Sequence, residues 1–316
     1  MIPHSRFHLG RETKRGERPS DGVGDPSQMG GETRLPPKAV LIVSIAAVST
    51  ASILIRMSSA PPLAIAAYRM IISTLILAPF LLLSGPRRWR SLDRIVLVKL
   101  MCVGLFLALH FATWISSLAL TSVTSSVIFV HLDPIFVALL SYLILGERIS
   151  GRMLLGIVIA ISGAIMIALG DMGLGETNLQ GDLLALIGAI MLGLYILSGR
   201  RLRQSLDLLS YVVPVYATAA MILTASCLAT GIPLKYPLRE YVIFASIALV
   251  PMIFGHTLYN WALKYLKASL VSTSLLGEPV GASILAYIIL GEKPTPPALV
   301  GALITLIGIY ICIRET

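Results

Sequence analysis

Apolar residues in this chain come in long unbroken blocks, not in the alternation of half-buried strands or the one-sided stripe of surface helices. Ten blocks stand out, at about 39–57, 62–84, 95–118, 122–145, 152–169, 181–199, 208–231, 240–263, 268–290 and 297–313. A helix crossing the hydrocarbon core of a bilayer needs roughly 20 predominantly apolar residues. The blocks have about that length, and the segments between them are short. The pattern predicts an all-α, polytopic membrane protein of ten transmembrane helices. A transmembrane β-barrel is excluded, because its strands would run about 10 residues and alternate strictly.

Composition sharpens this picture at the ends and in the loops. The chain is 56% hydrophobic and 13% charged, against about 25% charged in a soluble domain. The net charge of +9 raises the question of nucleic acid, but the basic residues gather in the N-terminal tail and in particular loops, so no nucleic-acid partner is expected. Residues 1–37 are rich in Gly, Pro and charge and have no apolar run. They are expected to form a disordered cytoplasmic tail, without the apolar core and small-residue cleavage site of a secretory signal. Cys102, Cys227 and Cys312 fall in different blocks with no metal-ligand spacing, so they read as small packing residues and not as a disulfide framework. No metal or other cofactor is expected.

Loop charge then orients the helices. With the N-terminus in the cytoplasm and strict alternation, twenty of the twenty-five Lys and Arg fall on the cytoplasmic side and four on the other. Cytoplasmic loops of membrane proteins carry that excess. Both termini and the Arg87–Arg94 loop are therefore expected inside, the 170–179 loop outside, and the protein in the cytoplasmic (cell) membrane.

A repeat runs through the blocks. "LDPIFVALLSYLILGER" (Leu132–Arg148) returns as "GEPVGASILAYIILGEK" (Gly277–Lys293). An offset of 145 pairs Pro134 with Pro279, Tyr142 with Tyr287, Leu145 with Leu290, Gly146 with Gly291 and Glu147 with Glu292. The same frame pairs Gly156 with Gly301, Gly163 with Gly308, Trp114 with Tyr259 and Leu118 with Leu263. Shared hydrophobicity alone does not produce such agreement. Each copy holds five helices, an odd number, so the second enters the membrane from the opposite side. The expected domains are a first five-helix repeat at 38–170 and a second, inverted one at 180–314. Inverted repeats about an in-plane axis are a recurrent plan of secondary transporters.

The residues of this repeat resemble a known family. A proline near the middle of a helix, an apolar stretch closing in Leu-Gly-Glu and then a short Gly-punctuated helix is the pattern of the EamA domain of the drug/metabolite transporter superfamily. "PPLAIAAYRM", with Arg69, is similar to that domain's second helix. The resemblance spans 39–313, and the second half has no evident equivalent of Arg69. It implies a secondary transporter; members move amino acids, nucleosides, sugar conjugates and drug-like compounds, often outward.

Few ionisable groups lie deep in the blocks: Arg69, His110, His131, Asp133, His256 and Glu278. A charge at the bilayer centre costs roughly 2.5–3.5 kcal/mol on insertion scales, so such residues normally face the bundle interior and are candidates for function. The repeat aligns Asp133, in the fourth block, with Glu278, in the ninth. Each precedes a proline, Pro134 or Pro279, that removes a helix hydrogen bond, leaving the Val130 and Leu275 carbonyls free and marking a hinge. The pair reads as a substrate or proton site, or else as a kinked helix whose acid is paired or protonated. His110 and Trp114 share a helix face, as do His256, Tyr259 and Asn260. Both sets line a cavity for an amphipathic metabolite or make ordinary interhelix contacts. The spacing turns His131 away from Asp133. Arg69 either holds a substrate carboxylate or pairs with Asp133 or a helix end, the pairing being favoured. Glu147 and Glu292, at helix ends, suit capping and gating contacts. The Gly/Ala-rich fifth and tenth blocks offer close-packing faces, for scaffold or for a homodimer.

These features converge on a secondary transporter that moves a small metabolite by alternating access. An amino acid or related amine, exported, is the favoured substrate class; a multidrug or nucleotide-sugar transporter of the same fold is the alternative. There is no Walker A sequence, which leaves proton coupling through Asp133 or Glu278, or facilitated diffusion. An intramembrane enzyme would need a cluster such as His-Glu-x-x-His, and none is present. A structural membrane protein would not need aligned acids in an inverted repeat.

Overall fold

The computed structural model describes residues 35–85, 92–117, 120–121, 123–170, 178–291 and 293–315. The expectations for residues 1–34, Arg87, Arg88 and Arg90, Leu118, Glu292 and most of the 170–179 loop lie outside the described residues. Among those described there is no strand. Ten helices are long and apolar enough to cross a membrane: α1 Pro37–Arg56, α2 Pro62–Leu83, α3 Arg94–Ser117, α4 Ile128–Leu145, α5 Gly151–Leu169, α6 Leu179–Leu202, α7 Leu208–Ala229, α8 Leu238–Ala262, α9 Ala268–Ile289 and α10 Pro296–Arg314. Each falls on one of the ten apolar blocks.

Local chemistry sets several helix starts. Proline stands in the first turn of α1, α2 and α10, where its missing N–H has no helical partner to lose. Asn178 caps α6 by accepting from Gln180 N at 2.8 Å, and Asp207 caps α7 by accepting from Ser210 N at 3.2 Å. The outer surface is apolar: Phe80, Leu83, Ile95, Leu143, Ile288 and Leu303 are all exposed. In water such a surface would aggregate; in a bilayer it is ordinary.

The principal helix pairs are α5 with α10, α3 with α6, α2 with α7 and α1 with α8. The α5–α10 crossing is close enough to require glycine. A Cβ on Gly163 would lie 2.4 Å from the Thr305 amide nitrogen, and one on Gly308 would lie 2.4 Å from that of Ala160. Gly156 faces the Gly308 carbonyl, and Gly301 faces that of Gly163. The small-residue faces of α5 and α10 thus pack on each other inside the chain.

α4 and α9 are discontinuous. α4 ends a segment at Val130, turns through His131 and Leu132, and restarts as Asp133–Leu140. α9 runs Ala268–Leu275, turns at Leu276, and restarts as Gly277–Leu285. The turns are tight: Ile135 N donates to the Leu132 carbonyl at 3.0 Å, and Leu276 N to that of Thr273 at 3.1 Å. Pro134 and Pro279 fall in the first turn of the new segments, so each starts a helix more than it kinks one. Both helices end alike, in a widened π-helical turn, Ser141–Leu145 or Ala286–Leu290, stopped by Gly146 at φ 66° or Gly291 at φ 70°. That left-handed conformation favours glycine and accounts for the Gly of each Leu-Gly-Glu.

Candidate functional site

The breaks in α4 and α9 border a cavity that is partly open to solvent. Its walls come from both halves of the chain. α2 supplies Arg69; α3 supplies His110, Phe111 and Trp114; the α4 break supplies Val130, His131 and Asp133. α8 supplies Pro251, His256 and Tyr259, and the α9 break supplies Leu275 and Glu278, with Val48, Ala51 and Leu192 completing the lining. Of the residues singled out in sequence, Arg69, His110, Trp114, Asp133, His256, Tyr259 and Glu278 therefore meet in one space. Pro134 and Pro279 follow the two acids in the chain and are not part of the lining.

Asn260 does not line it. It is fully buried behind Tyr259, and its amide nitrogen donates to the Tyr195 hydroxyl at 2.7 Å and to the His256 carbonyl at 2.6 Å. His131 corrects the expectation in the other direction, because it lines the cavity together with Asp133. The two-residue spacing misleads since the helix is interrupted between them.

The two acids have different surroundings. Asp133 is buried and accepts from the Ser272 hydroxyl of α9 at 2.5 Å. Glu278 is half-buried, and among the described residues it has no hydrogen-bonded or ion-paired partner. Arg69 lines the same cavity, and among the described residues it forms no ion pair with either acid. Arg69 is only 2% exposed. The expected pairing of Arg69 with Asp133 is not formed: the guanidinium lies over the Phe111 ring at 4.2 Å and reaches Met252 Sδ at 3.5 Å. Among the described residues its Nε has no hydrogen-bond partner. Asp133 is turned instead to the Ser272 hydroxyl, so its buried carboxyl is hydrogen-bonded without Arg69.

The aromatic groups form a wall. His110 stacks on Trp114 at 5.8 Å and 13° and is anchored through Nδ1 on the Gly188 carbonyl of α6 at 2.9 Å. Gly188 is bare because Trp114 lies against it. His256 Nδ1 and the Tyr259 hydroxyl are 2.7 Å apart. α8 widens into a π-helical stretch at Ala248–Thr257, around Pro251, and such stretches recur at functional sites. Phe111, Tyr195 and Ser272 escaped sequence reasoning. For Ser272 there was a signal, the hydroxyl-rich run Ser269, Ser272, Thr273 and Ser274 inside an apolar block, all of it buried. Tyr195 and Phe111 are ordinary members of apolar blocks and carry none.

Polar ties join the halves at each end of the bundle. At one end Arg200 donates to Glu147 at 2.8 Å and to the Leu263 and Lys264 carbonyls at 3.0 Å each. Glu147, at the end of α4, is thus ion-paired across to α6. At the other end Glu240 accepts from the hydroxyls of Ser58 and Ser59 and from Ser59 N, and Thr121 donates to Asp182 at 2.7 Å. Among the described residues no cluster of His, Cys, Asp and Glu is arranged to hold a metal ion.

Comparison with known proteins agrees with this architecture. An uncharacterised transporter of Archaeoglobus fulgidus is 27% identical over 80% of this chain and 89% of its own length. A "Probable terminal-alkyne amino-acid exporter" of Streptantibioticus cattleyicolor is 27% identical over 59% of this chain and 63% of its own. A solved crystal structure, 18% identical, has a TM-score of 0.75 over 88% of this chain and 96% of its own, which speaks to the fold. The EamA-like transporter family model matches residues 38–169 and again 179–314. A ten-helix bundle with a polar cavity between broken helices is thus joined to two family matches that together span nearly all of the described chain, and the protein belongs to the EamA-like transporter family.

Proposed function

We propose that this protein is a secondary transporter of the cytoplasmic membrane that exports an amino acid or related amine by alternating access. The observation that carries the reading is the central cavity, walled by both halves, with Asp133 and Glu278 at matching breaks of α4 and α9. Substrate sites built on discontinuous helices near the midplane are a recurrent solution for transport. An amino-acid substrate is supported by the mixed charge of the lining and by the name of the Streptantibioticus relative.

The halves act as inverted repeats in this reading. The α5–α10 contacts support it: Gly156 meets Gly308, and Gly163 meets Gly301. Moving each residue to its counterpart 145 positions away turns one contact into the other, as a two-fold axis between the helices would require. Arg200–Glu147 then closes the cytoplasmic end and Glu240 with Ser58 and Ser59 closes the outer end. Each tie must part once per cycle, while Pro134 and Pro279 serve as hinges and Asp133 or Glu278 exchanges a proton.

The test is reconstitution. Purified protein in proteoliposomes, loaded with a metabolite panel rich in amino acids and amines, should release one class faster than protein-free vesicles do. Failure to move any member of a broad metabolite panel in either direction would overturn the transport reading.

A further inference from the structure

The cavity holds two opposite charges that face it and do not touch. Arg69 is nine-tenths buried or more and, among the described residues, makes only a weak contact with a thioether and a face-on contact with Phe111. A cation over an aromatic face is worth about 0.5–2 kcal/mol, which leaves the in-plane edge of the guanidinium unsatisfied, and its Nε is unpartnered. Glu278 lines the same cavity, also without a bonded partner, and no ion pair within 4.0 Å joins it to Arg69. Three other polar groups of the lining are already engaged. Asp133 is held by Ser272, His110 by the Gly188 carbonyl and His256 by Tyr259. Trp114 Nε1 is a further buried donor with no partner.

What remains open is therefore an acceptor-seeking edge at Arg69 and Trp114 and a donor-seeking carboxylate at Glu278. Buried ionic groups left uncompensated are costly, and the Arg fork matches a planar carboxylate in geometry. We infer that the cavity recognises its substrate as a zwitterion, with the substrate carboxylate on Arg69, its ammonium group on Glu278, and an apolar body along Val48, Val130, Leu192 and Leu275. A zwitterion of the α-amino-acid type exchanges one long-range attraction for two short, charge-assisted hydrogen-bonded contacts. An amine without a carboxylate leaves Arg69 unpaired, and an acid without an amine leaves Glu278 unpaired. The inference rests on the transport reading above and narrows it, since it selects amino acids over the related amines.

The full-length protein, purified and reconstituted, is assayed for equilibrium binding of the twenty common amino acids. The tightest binder is then compared with its decarboxylated amine and its deaminated acid. Loss of either charged group should raise Kd on the order of 10- to 100-fold, the size of a hydrogen bond to a charged partner. Arg69→Gln should weaken the amino acid by a similar factor and abolish discrimination against the amine, with Arg69→Lys recovering part of it. Glu278→Gln should abolish discrimination against the deaminated acid instead. Substrate-free thermal unfolding reports whether each variant is folded; if Arg69→Gln is not, the three-ligand comparison on the unaltered protein decides. An amine bound as tightly as its amino acid, or discrimination that survives in folded Arg69→Gln, overturns the inference. If none of the twenty binds, the same comparison is made on whichever metabolite of the wider panel is carried. A carried compound lacking a carboxylate overturns the inference and leaves transport standing, whereas no carried compound at all removes the transport reading itself.

Discussion

Asp133 and Glu278 are aligned by the repeat, yet among the described residues one is hydrogen-bonded and the other is not. The repeat makes their positions alike; the neighbours make their chemistry different. Glu278→Gln keeps the size and much of the hydrogen-bonding capacity but can neither carry charge nor exchange a proton, and proton relays in transporters depend on both. Transport should fall to background with normal membrane abundance, while Asp133→Asn, whose amide can still bond to Ser272, should lose less. Unchanged rates and unchanged pH dependence in Glu278→Gln would leave the acid a structural feature. Asn260 has a different task. It ties Tyr195 to the His256 backbone behind the cavity wall, and Asn260→Leu should lower stability by about 1–3 kcal/mol through the bonds it orphans, read as a lower thermal unfolding midpoint in detergent.

At the scale of elements, glycine does two separable things in this chain. Gly146 and Gly291 end α4 and α9 with positive φ, and a Cβ there meets no atom within 4 Å. Gly146→Ala should therefore cost only the left-handed backbone penalty, about 1–2 kcal/mol. Gly163 has ordinary helical φ, but its Cβ would stand 2.4 Å from Thr305 N. Gly163→Val should force α5 and α10 apart and cost more than Gly146→Ala, since overpacking against backbone has no rotamer escape. Parallel thermal unfolding of the two variants checks the order; equal midpoints would mean the α5–α10 crossing is loosely held. The breaks in α4 and α9 are elements in their own right. Reading proline as a kink placed them correctly along the chain, but Pro134 and Pro279 start new segments, which is why two residues as close as His131 and Asp133 reach the same cavity.

At the scale of the molecule, the two ends of the bundle are held by different chemistry. Arg200 and Glu147 form a partly buried ion pair with side-chain exposures of 21% and 14%, worth on the order of 1–3 kcal/mol as charge-assisted hydrogen bonds. Arg200→Gln should bias the protein toward opening at that end. Thiol labelling of a cysteine at Ala51, which lines the cavity, in a background with Cys102 replaced, should speed up from the cytoplasmic side, and an unchanged labelling rate would deny the pair a gating role. The same background tests orientation. A cysteine at Ser205 should react only from inside and one at Lys235 only from outside; the reverse pattern would invert the assignment.

The sequence by itself determined the number and limits of the helices, because an unbroken apolar run of membrane length has only one low-energy solution in a bilayer, a helix that satisfies its own backbone. It also determined which residues were out of place there, since a charged group in such a run is costly wherever the helix goes. Asp133, Glu278, Arg69, His110 and His256 were legible for that reason alone. Only the tertiary structure decided their relations. It turned Asp133 toward Ser272 and away from Arg69, brought His131 into the cavity, set Asn260 behind it, and paired Glu147 with Arg200. Those outcomes depend on how helices far apart in the chain cross and where they break, and neither is a property of a helix taken alone.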